Sequence, residues 1–272
     1  MSRLVVAAIQ MNSISDKAHN VARAMTLCEA AIAQGAKVVA LPEVFNYRAF
    51  VIRHDRAEPI PGPSLQPLMQ LAKTKSVWII VGSLAEAATI PEKMHNTSVV
   101  ISPEGICVAQ YRKLHLFDSA LPTATIRESR SFIAGTRPVW VDIAGIKTGL
   151  SICYDLRFPE LYRYYSHMGA QLLSVPASFM AVTGQAHWHV LLRARAIENY
   201  CFVIAPNQVG VGAQNSPTFG HSLIIDPWGE VLAEGSPDQE EVLVATLDFD
   251  RLNAVRTQLP SLSHRRTLAD FQ

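Results

Sequence analysis

The chain has 272 residues, 49% of them hydrophobic and 17% charged, with a formal net charge of +1 at pH 7. A charged share below the usual figure of about 25% excludes a disordered chain, whose balance is the reverse, and predicts a large core with some surface buried against a partner chain. Near-neutrality excludes the basic footprint of a nucleic-acid or acidic-membrane binder.

In chain order, the apolar run within Arg3 to Met11 predicts a buried strand. Asp16 fits a helix N-cap, Val21, Met25, Cys28 and Ile32 fall on one helical face, and Gly35 ends that helix. Val38 to Leu41 is a second strand, so the chain opens as β-α-β. Pro59 to Pro63 marks a loop, Leu65 to Ala72 a helix, and Val77 to Val81 a strand. Strands at Thr97–Ile101 and Ile106–Arg112 join through the turn Ser102–Gly105. A similar hairpin links Ser222–Asp226 to Val231–Ala233. Between them lie strands at Ile146–Ile152, Gln171–Val175 and Phe202–Pro206, with helices at Pro159–His167 and Ala186–Tyr200. Val242–Leu247 closes the series. No linker divides residues 1–272, which read as a single α/β domain. The two halves share a rhythm without a sequence repeat. Leu114 to Gly135 shows no period. Such a long structureless loop is uncommon, and it is expected to wall or cover an active site.

Four cysteines, Cys28, Cys107, Cys153 and Cys201, form no Cys-x-x-Cys pair, which argues against zinc-ribbon and thioredoxin-like sites. Reduced thiols in a cytoplasm are expected. The run Leu4–Ile9 is too short for a cleavable signal, and no stretch approaches the roughly 18 apolar residues of a bilayer span.

Cys153 follows a predicted strand, and Pro159 suits the first turn of the next helix. A thiol on such a strand-to-helix turn lies near backbone N–H groups, a setting that lowers its pKa and supplies oxyanion donors. Taken alone, a buried cysteine is most often inert, and Cys28, Cys107 and Cys201 read that way. A thiol nucleophile needs a base, most often histidine, yet His115, His187, His189 and His221 are scattered. Glu43 fits better. It directly follows the buried strand Val38–Leu41, where a carboxylate points into the crevice that binds ligands in an open sheet; a solvated or helix-initiating glutamate is the alternative. Lys113 ends the strand Val108–Arg112, and Glu128 lies in the long loop. Acid, base and thiol each follow a strand, so one sheet edge could collect them. Arg157 suits either a substrate carboxylate or a pair with Asp155 or Glu160. Phe179, Met180 and Thr183 could line the same pocket, whereas Trp188, Leu191 and Leu192 read as core.

Three blocks, Leu41-Pro42-Glu43, Tyr111-Arg112-Lys113-Leu114-His115-Leu116-Phe117 and Cys153-Tyr154-Asp155-Leu156-Arg157-Phe158-Pro159-Glu160, resemble the signature blocks of the nitrilase (carbon–nitrogen hydrolase) superfamily in order and spacing. The resemblance runs from the first strand to His264–Arg266. It implies a four-layer α-β-β-α sandwich, two mixed sheets face to face with helices outside, assembled as a homodimer or larger homo-oligomer. It implies the catalytic set Glu43, Lys113 and Cys153, with Glu128 as the second glutamate, and an oxyanion held by Lys113 and the Tyr154 amide. No metal or other cofactor is expected. Together with Thr183–Trp188 and Leu191–Glu198, the cysteine block resembles the Nit branch, amidases acting on 2-oxo acids with a terminal amide. The implied activity is hydrolysis of a small-molecule amide through a thioester. The foremost substrate is deaminated glutathione, N-(4-oxoglutaryl)-cysteinylglycine, giving 2-oxoglutarate and cysteinylglycine. An ω-amidase releasing ammonia from 2-oxoglutaramate or 2-oxosuccinamate is the alternative, and a non-catalytic interaction protein on the same fold is the alternative of another class. Met180 stands where threonine is more usual in that branch and His189 where glutamate is, and both bear on specificity.

Overall fold

The computed structural model describes residues 2–49, 53–121, 124–212 and 216–266. The first half runs β1 (Arg3–Gln10), α1 (Lys17–Ala33), β2 (Val38–Ala40), α2 (Gln66–Lys75), β3 (Trp78–Ala87), β4 (Met94–Ile101) and β5 (Cys107–Arg112). A small hairpin, β6 (Asp118–Leu121) and β7 (Ala124–Arg127), leads to the second half. There follow β8 (Trp140–Ile143), β9 (Ile146–Leu150), α3 (Pro159–His167), β10 (Leu172–Ser174), α4 (Ala181–Asn199), β11 (Phe202–Ala205), β12 (Leu223–Ile225), β13 (Val231–Glu234), β14 (Glu241–Asp248) and α5 (Phe249–Gln258).

Two six-stranded sheets result, ordered β14-β1-β2-β3-β4-β5 and β13-β12-β11-β10-β9-β8. Both are mixed. β1, β2 and β3 pair in parallel, as do β9, β10 and β11, and the flanking strands are antiparallel. The period of two along a strand sorts the layers. On β1, Val6 and Ala8 join Leu150, Leu172 and Ile204 in the core between the sheets, while Ala7 and Ile9 pack with Leu27 of α1 and Leu68 of α2. Tyr165 of α3 and Trp188 and Leu192 of α4 cover the second sheet. The layers are therefore α-β-β-α.

Local chemistry sets several boundaries. The Asp16 carboxylate accepts from the His19 amide at 3.1 Å and caps α1, an arrangement typically worth about 1 kcal/mol. Gly35, at φ 92°, follows its end. Three features differ from the sequence expectation. The stretch 114–135 is not structureless: β6, β7 and a short 3₁₀ turn at Glu128–Arg130 occupy it, with Pro122 and Thr123 outside the described residues. α4 begins at Ala181 rather than Ala186, because Gly184 and Thr183 have low helix propensity and tertiary packing overrides it. A Cβ on Gly184 would meet the Phe219 ring at 2.3 Å. β8 and α5 complete the inventory.

Candidate active site

Three strand ends deliver the key side chains. Glu43 lies beyond β2, Lys113 directly follows β5, and Cys153 lies beyond β9. The first two belong to one sheet and the third to the other. The expectation of a single sheet edge is corrected accordingly: the facing sheets bring their strand ends together. Lys113 is 2% exposed, Glu43 5%, Glu128 7% and Cys153 9%, so their charges interact with little water between them.

Lys113 Nζ lies 3.0 Å from Glu43 Oε1 and 3.0 Å from Glu128 Oε2. Asn96, on β4, donates from Nδ2 to Glu43 Oε1 at 2.9 Å and to Glu128 Oε1 at 3.1 Å. The Ser178 amide donates to Glu43 Oε2 at 2.8 Å, and the Phe117 amide to Glu128 Oε2 at 2.6 Å. Two carboxylates thus share one ammonium and one side-chain amide. Burial works against the Lys113 charge, but Glu128 and Glu43 outweigh it and hold the ammonium well above its ordinary pKa.

Cys153 opens a 3₁₀ turn with φ 48°, in the left-handed region that non-glycine residues avoid. Its amide donates to the Pro176 carbonyl at 2.9 Å. Its thiol is pushed well above the usual range, first by burial and then by the Glu43 charge, and Lys113 and the Ser178 amide only partly offset this. The strand-to-helix turn does not lower this pKa as the sequence suggests, because burial beside a carboxylate dominates over the local dipoles. Two residues on, Asp155 is fully buried. It accepts from Tyr111 Oη at 2.7 Å, from the His115 amide at 3.0 Å and from the Ile152 amide at 2.8 Å, and His115 Nδ1 lies 2.7 Å from it. That carboxylate ties the segment bearing Lys113 to the turn bearing Cys153, a role the sequence does not reveal.

Two connected cavities meet at Cys153, sharing Phe117, Ser178 and Met180. The larger, about 170 Å³, is walled by Glu43, Lys113 and Glu128 together with Arg48. The smaller, about 30 Å³, gathers Tyr154, Arg157, Phe179, Met180 and Thr183 around the thiol, so every expected substrate-contacting residue borders this space. Arg157 pairs with neither Asp155 nor Glu160. Its Nη1 lies 3.2 Å from His187 Nδ1, and its guanidinium sits 5.2 Å from the Phe179 ring centre and 5.8 Å from that of Tyr154. Thr183 Oγ1 donates to the Met180 carbonyl at 3.3 Å. His189 lines neither cavity: it and His221 both contact Glu234 Oε1, at 2.9 and 2.8 Å. Those three residues are the single group among the described residues spaced to share a metal ion. Sequence reading misses Asn96 and Arg48, which carry no local mark beyond residue type, and names Asp155 only as a partner for Arg157, whereas its partners are Tyr111, His115 and the Ile152 amide. No helix among the described residues is long and apolar enough to cross a membrane.

Comparison with known proteins gives a consistent result. The carbon–nitrogen hydrolase family matches residues 5–257. The chain is 42% identical over 270 residues to the deaminated glutathione amidase of Synechocystis sp., covering 97% of this chain and 99% of that one. It is 38% identical over 270 residues to omega-amidase NIT2 of Homo sapiens, covering 98% and 96%. Its fold superposes on the crystal structure of the C. elegans NitFhit protein with a TM-score of 0.90 at 37% identity, covering 98% of this chain and 66% of that one.

Proposed function

The chain belongs to the carbon–nitrogen hydrolase family and is an amidase of its Nit branch, and on that premise we propose that it hydrolyses the ω-amide of a 2-oxo dicarboxylic acid through a thioester on Cys153, with deaminated glutathione as its substrate. The observation that carries this reading is the convergence of a thiol, a carboxylate and an ammonium, all buried, on one cavity.

An unperturbed thiol near pKa 8.5 is a few per cent ionised at pH 7, and the Cys153 thiol lies well above its usual range. The resting nucleophile is the neutral thiol, and Glu43 is its base. As sulfur attacks the carbonyl carbon, the S–H proton passes to Glu43 and the carbonyl oxygen becomes an oxyanion. Lys113 and the Tyr154 amide stabilise that oxyanion, and a donor in this role is worth about 10²–10³ in turnover. The C–N bond then breaks as Glu43 returns the proton to nitrogen, which cannot leave as an anion. Water replaces the amine, Glu43 takes its proton, hydroxide attacks the thioester, and the thiol leaves with its proton restored. Glu128 positions Lys113 by sharing its ammonium. Arg157, which pairs with no carboxylate among the described residues, takes the substrate carboxylate, and Thr183 an oxygen of the acyl group. Met180 and Phe179 supply apolar walls.

Mass spectrometry of protein quenched during turnover should show an oxoglutaryl adduct on Cys153, absent in Cys153→Ala and slow to form in Lys113→Ala. Product analysis separates the substrates: cysteinylglycine from deaminated glutathione, ammonia if 2-oxoglutaramate or 2-oxosuccinamate is preferred. A protein that forms no adduct with any 2-oxo amide would be a non-catalytic member of the fold. We also expect a homodimer or larger assembly, because Val190 and Ile197, a heptad apart on α4, and Tyr164 on α3 are exposed, and light scattering reads the mass directly. The four cysteines are free, which fits the reducing cytoplasm.

A further inference from the structure

The two cavities are unequal, and the reaction assigns them. Glu43, the group that must protonate the departing nitrogen, borders the larger cavity and not the smaller one. Arg157 and Thr183 border the smaller and not the larger. An amide seated on Cys153 therefore points its acyl carboxylate toward Arg157 and its amine into the large cavity. About 170 Å³ is room for roughly six waters at about 30 Å³ each, where ammonia needs one.

The wall of that large cavity carries a cation without a counter-charge. Arg48 is 6% exposed. Its guanidinium donates from Nε to the Ser13 carbonyl at 2.9 Å, from Nη1 to Thr218 Oγ1 at 3.2 Å, and from Nη2 to Asn12 Oδ1 and the Val209 carbonyl, both at 2.6 Å. Every partner is neutral, and no carboxylate among the described residues forms an ion pair with it. Lys113, by contrast, meets two carboxylates. Burial alone pushes the Arg48 pKa down, to about 10, which leaves it a cation at neutral pH. A buried charge without a partner is costly. Four bonds fix this one in place, and of its five N–H groups one on Nη1 keeps no partner among the described residues. Arg53 and Arg56 border the same cavity, but both contact Asp55 and are exposed. A rigid guanidinium with a spare donor is preorganised for an arriving carboxylate.

We infer that the large cavity is a subsite for a leaving amine that carries its own carboxylate, an amino acid or a dipeptide, and that Arg48 anchors that carboxylate. The inference rests on the amidase reading above and adds to it the cavity that receives the leaving amine and the residue that anchors its carboxylate. It makes Arg48 a residue that selects peptide-like amides over simple primary ones.

The test compares kcat/KM for deaminated glutathione with that for the same molecule whose glycine carboxylate is converted to the amide. In the wild-type enzyme the free acid should be preferred about 10- to 100-fold, the worth of one charge-assisted hydrogen bond. In Arg48→Met that preference should fall toward one, and Arg48→Lys should restore part of it. The ratio compares two substrates on one protein, so a loss of folded enzyme does not move it, and the wild-type comparison stands without any variant. Equal kcat/KM for acid and amide in the wild type overturns the inference while leaving the amidase reading intact, provided both acylate Cys153. A preference that persists undiminished in Arg48→Met overturns it as well. If no 2-oxo amide, 2-oxoglutaramate included, acylates Cys153, both readings fall together.

Discussion

Glu43 and Glu128 share the single ammonium of Lys113, so the cluster carries one net negative charge before the thiol is counted. A thiolate formed there with both glutamates ionised would bring a second uncompensated charge into a buried site. Moving the proton from sulfur to Glu43 keeps the total at minus one, and that conservation explains why the thiol is held in its neutral form at rest. The substitution Glu43→Gln separates the two roles of this carboxylate. Removing its charge takes away one cause that holds the thiol pKa up, so the pH at which iodoacetamide alkylation of Cys153 is half-maximal should move down. Removing the base should lower amide hydrolysis by about 10²–10⁴. An alkylation midpoint that stays put or moves up would show that Glu43 carries no charge beside the thiol. Of this cluster, Glu43, Lys113 and Cys153 are legible because each follows an apolar strand within a dense motif. Asn96 is not, because it falls just before the expected strand Thr97–Ile101 and carries no mark until its partners, drawn from distant segments, are in place.

Glu43 is aimed by a defect in its neighbouring strand. The pairing of β3 with β4 slips between Val81 and Leu84, leaving Gly82 and Ser83 out of the regular register. There the backbone just beyond β2 presses in closely: a Cβ on Gly82 would stand 2.0 Å from the Leu41 carbonyl oxygen and 2.2 Å from that of Pro42. Ser83 then holds the residues after Glu43, its Oγ accepting from the Val44 amide at 3.0 Å and its carbonyl from Phe45 at 3.1 Å. Val44 itself sits at φ 52°, a strained conformation of the kind that clusters at active sites. Because the contacts to Gly82 are backbone, no side chain can swing aside to relieve them. Gly82→Ala should therefore cost about 1–3 kcal/mol of stability and, by displacing Glu43, lower kcat/KM about 100-fold. Denaturant unfolding and steady-state kinetics on the same preparation check both, and wild-type kcat/KM in this variant would mean that the bulge does not set the carboxylate. Sequence reading ends this strand at Val81, since a glycine after an apolar run looks like a terminus, whereas the strand continues to Ala87. The β6–β7 hairpin escapes for a related reason: among its described side chains, at 118–120 and 125–127, none is buried, so no apolar run marks the strands.

Across the whole molecule the two halves repeat one plan. Each sheet has three parallel strands with a helix after the first and after the second, then an antiparallel hairpin, and β14 flanks β1 as β8 flanks β9. The sequence shows the rhythm without the repeat, because packed layers require apolar residues of suitable volume rather than particular identities. The second parallel strand of each half ends at the site: Glu43 follows β2, Ser178 follows β10, and they meet in a 2.8 Å hydrogen bond. The core built around this plan buries many groups that ionise in alkali. Burial pushes the Cys28 thiol up to about 12, aided by Glu29, and the Cys201 thiol to about 12 against a partly offsetting Arg256. Burial likewise raises Tyr111, Tyr162 and Tyr165. In the unfolded chain thiols lose their protons near pH 8.5 and phenols near pH 10. Stability from these groups is complete below the unfolded values. It falls as pH rises, for the two thiols until they also ionise in the folded protein near pH 12, since over that window the unfolded state binds fewer protons. Each group ionised only in the unfolded chain contributes a slope of about 1.4 kcal/mol per pH unit. Urea unfolding measured from pH 7 to 10.5 should show a plateau and then a steep decline. The double variant Cys28→Ala, Cys201→Ala should decline less steeply, by about 3 kcal/mol per pH unit once both thiols would have ionised, even though the two cavities lower its plateau. Parallel declines in the two proteins would mean that these thiols ionise as readily in the folded core as in water, which their complete burial does not allow.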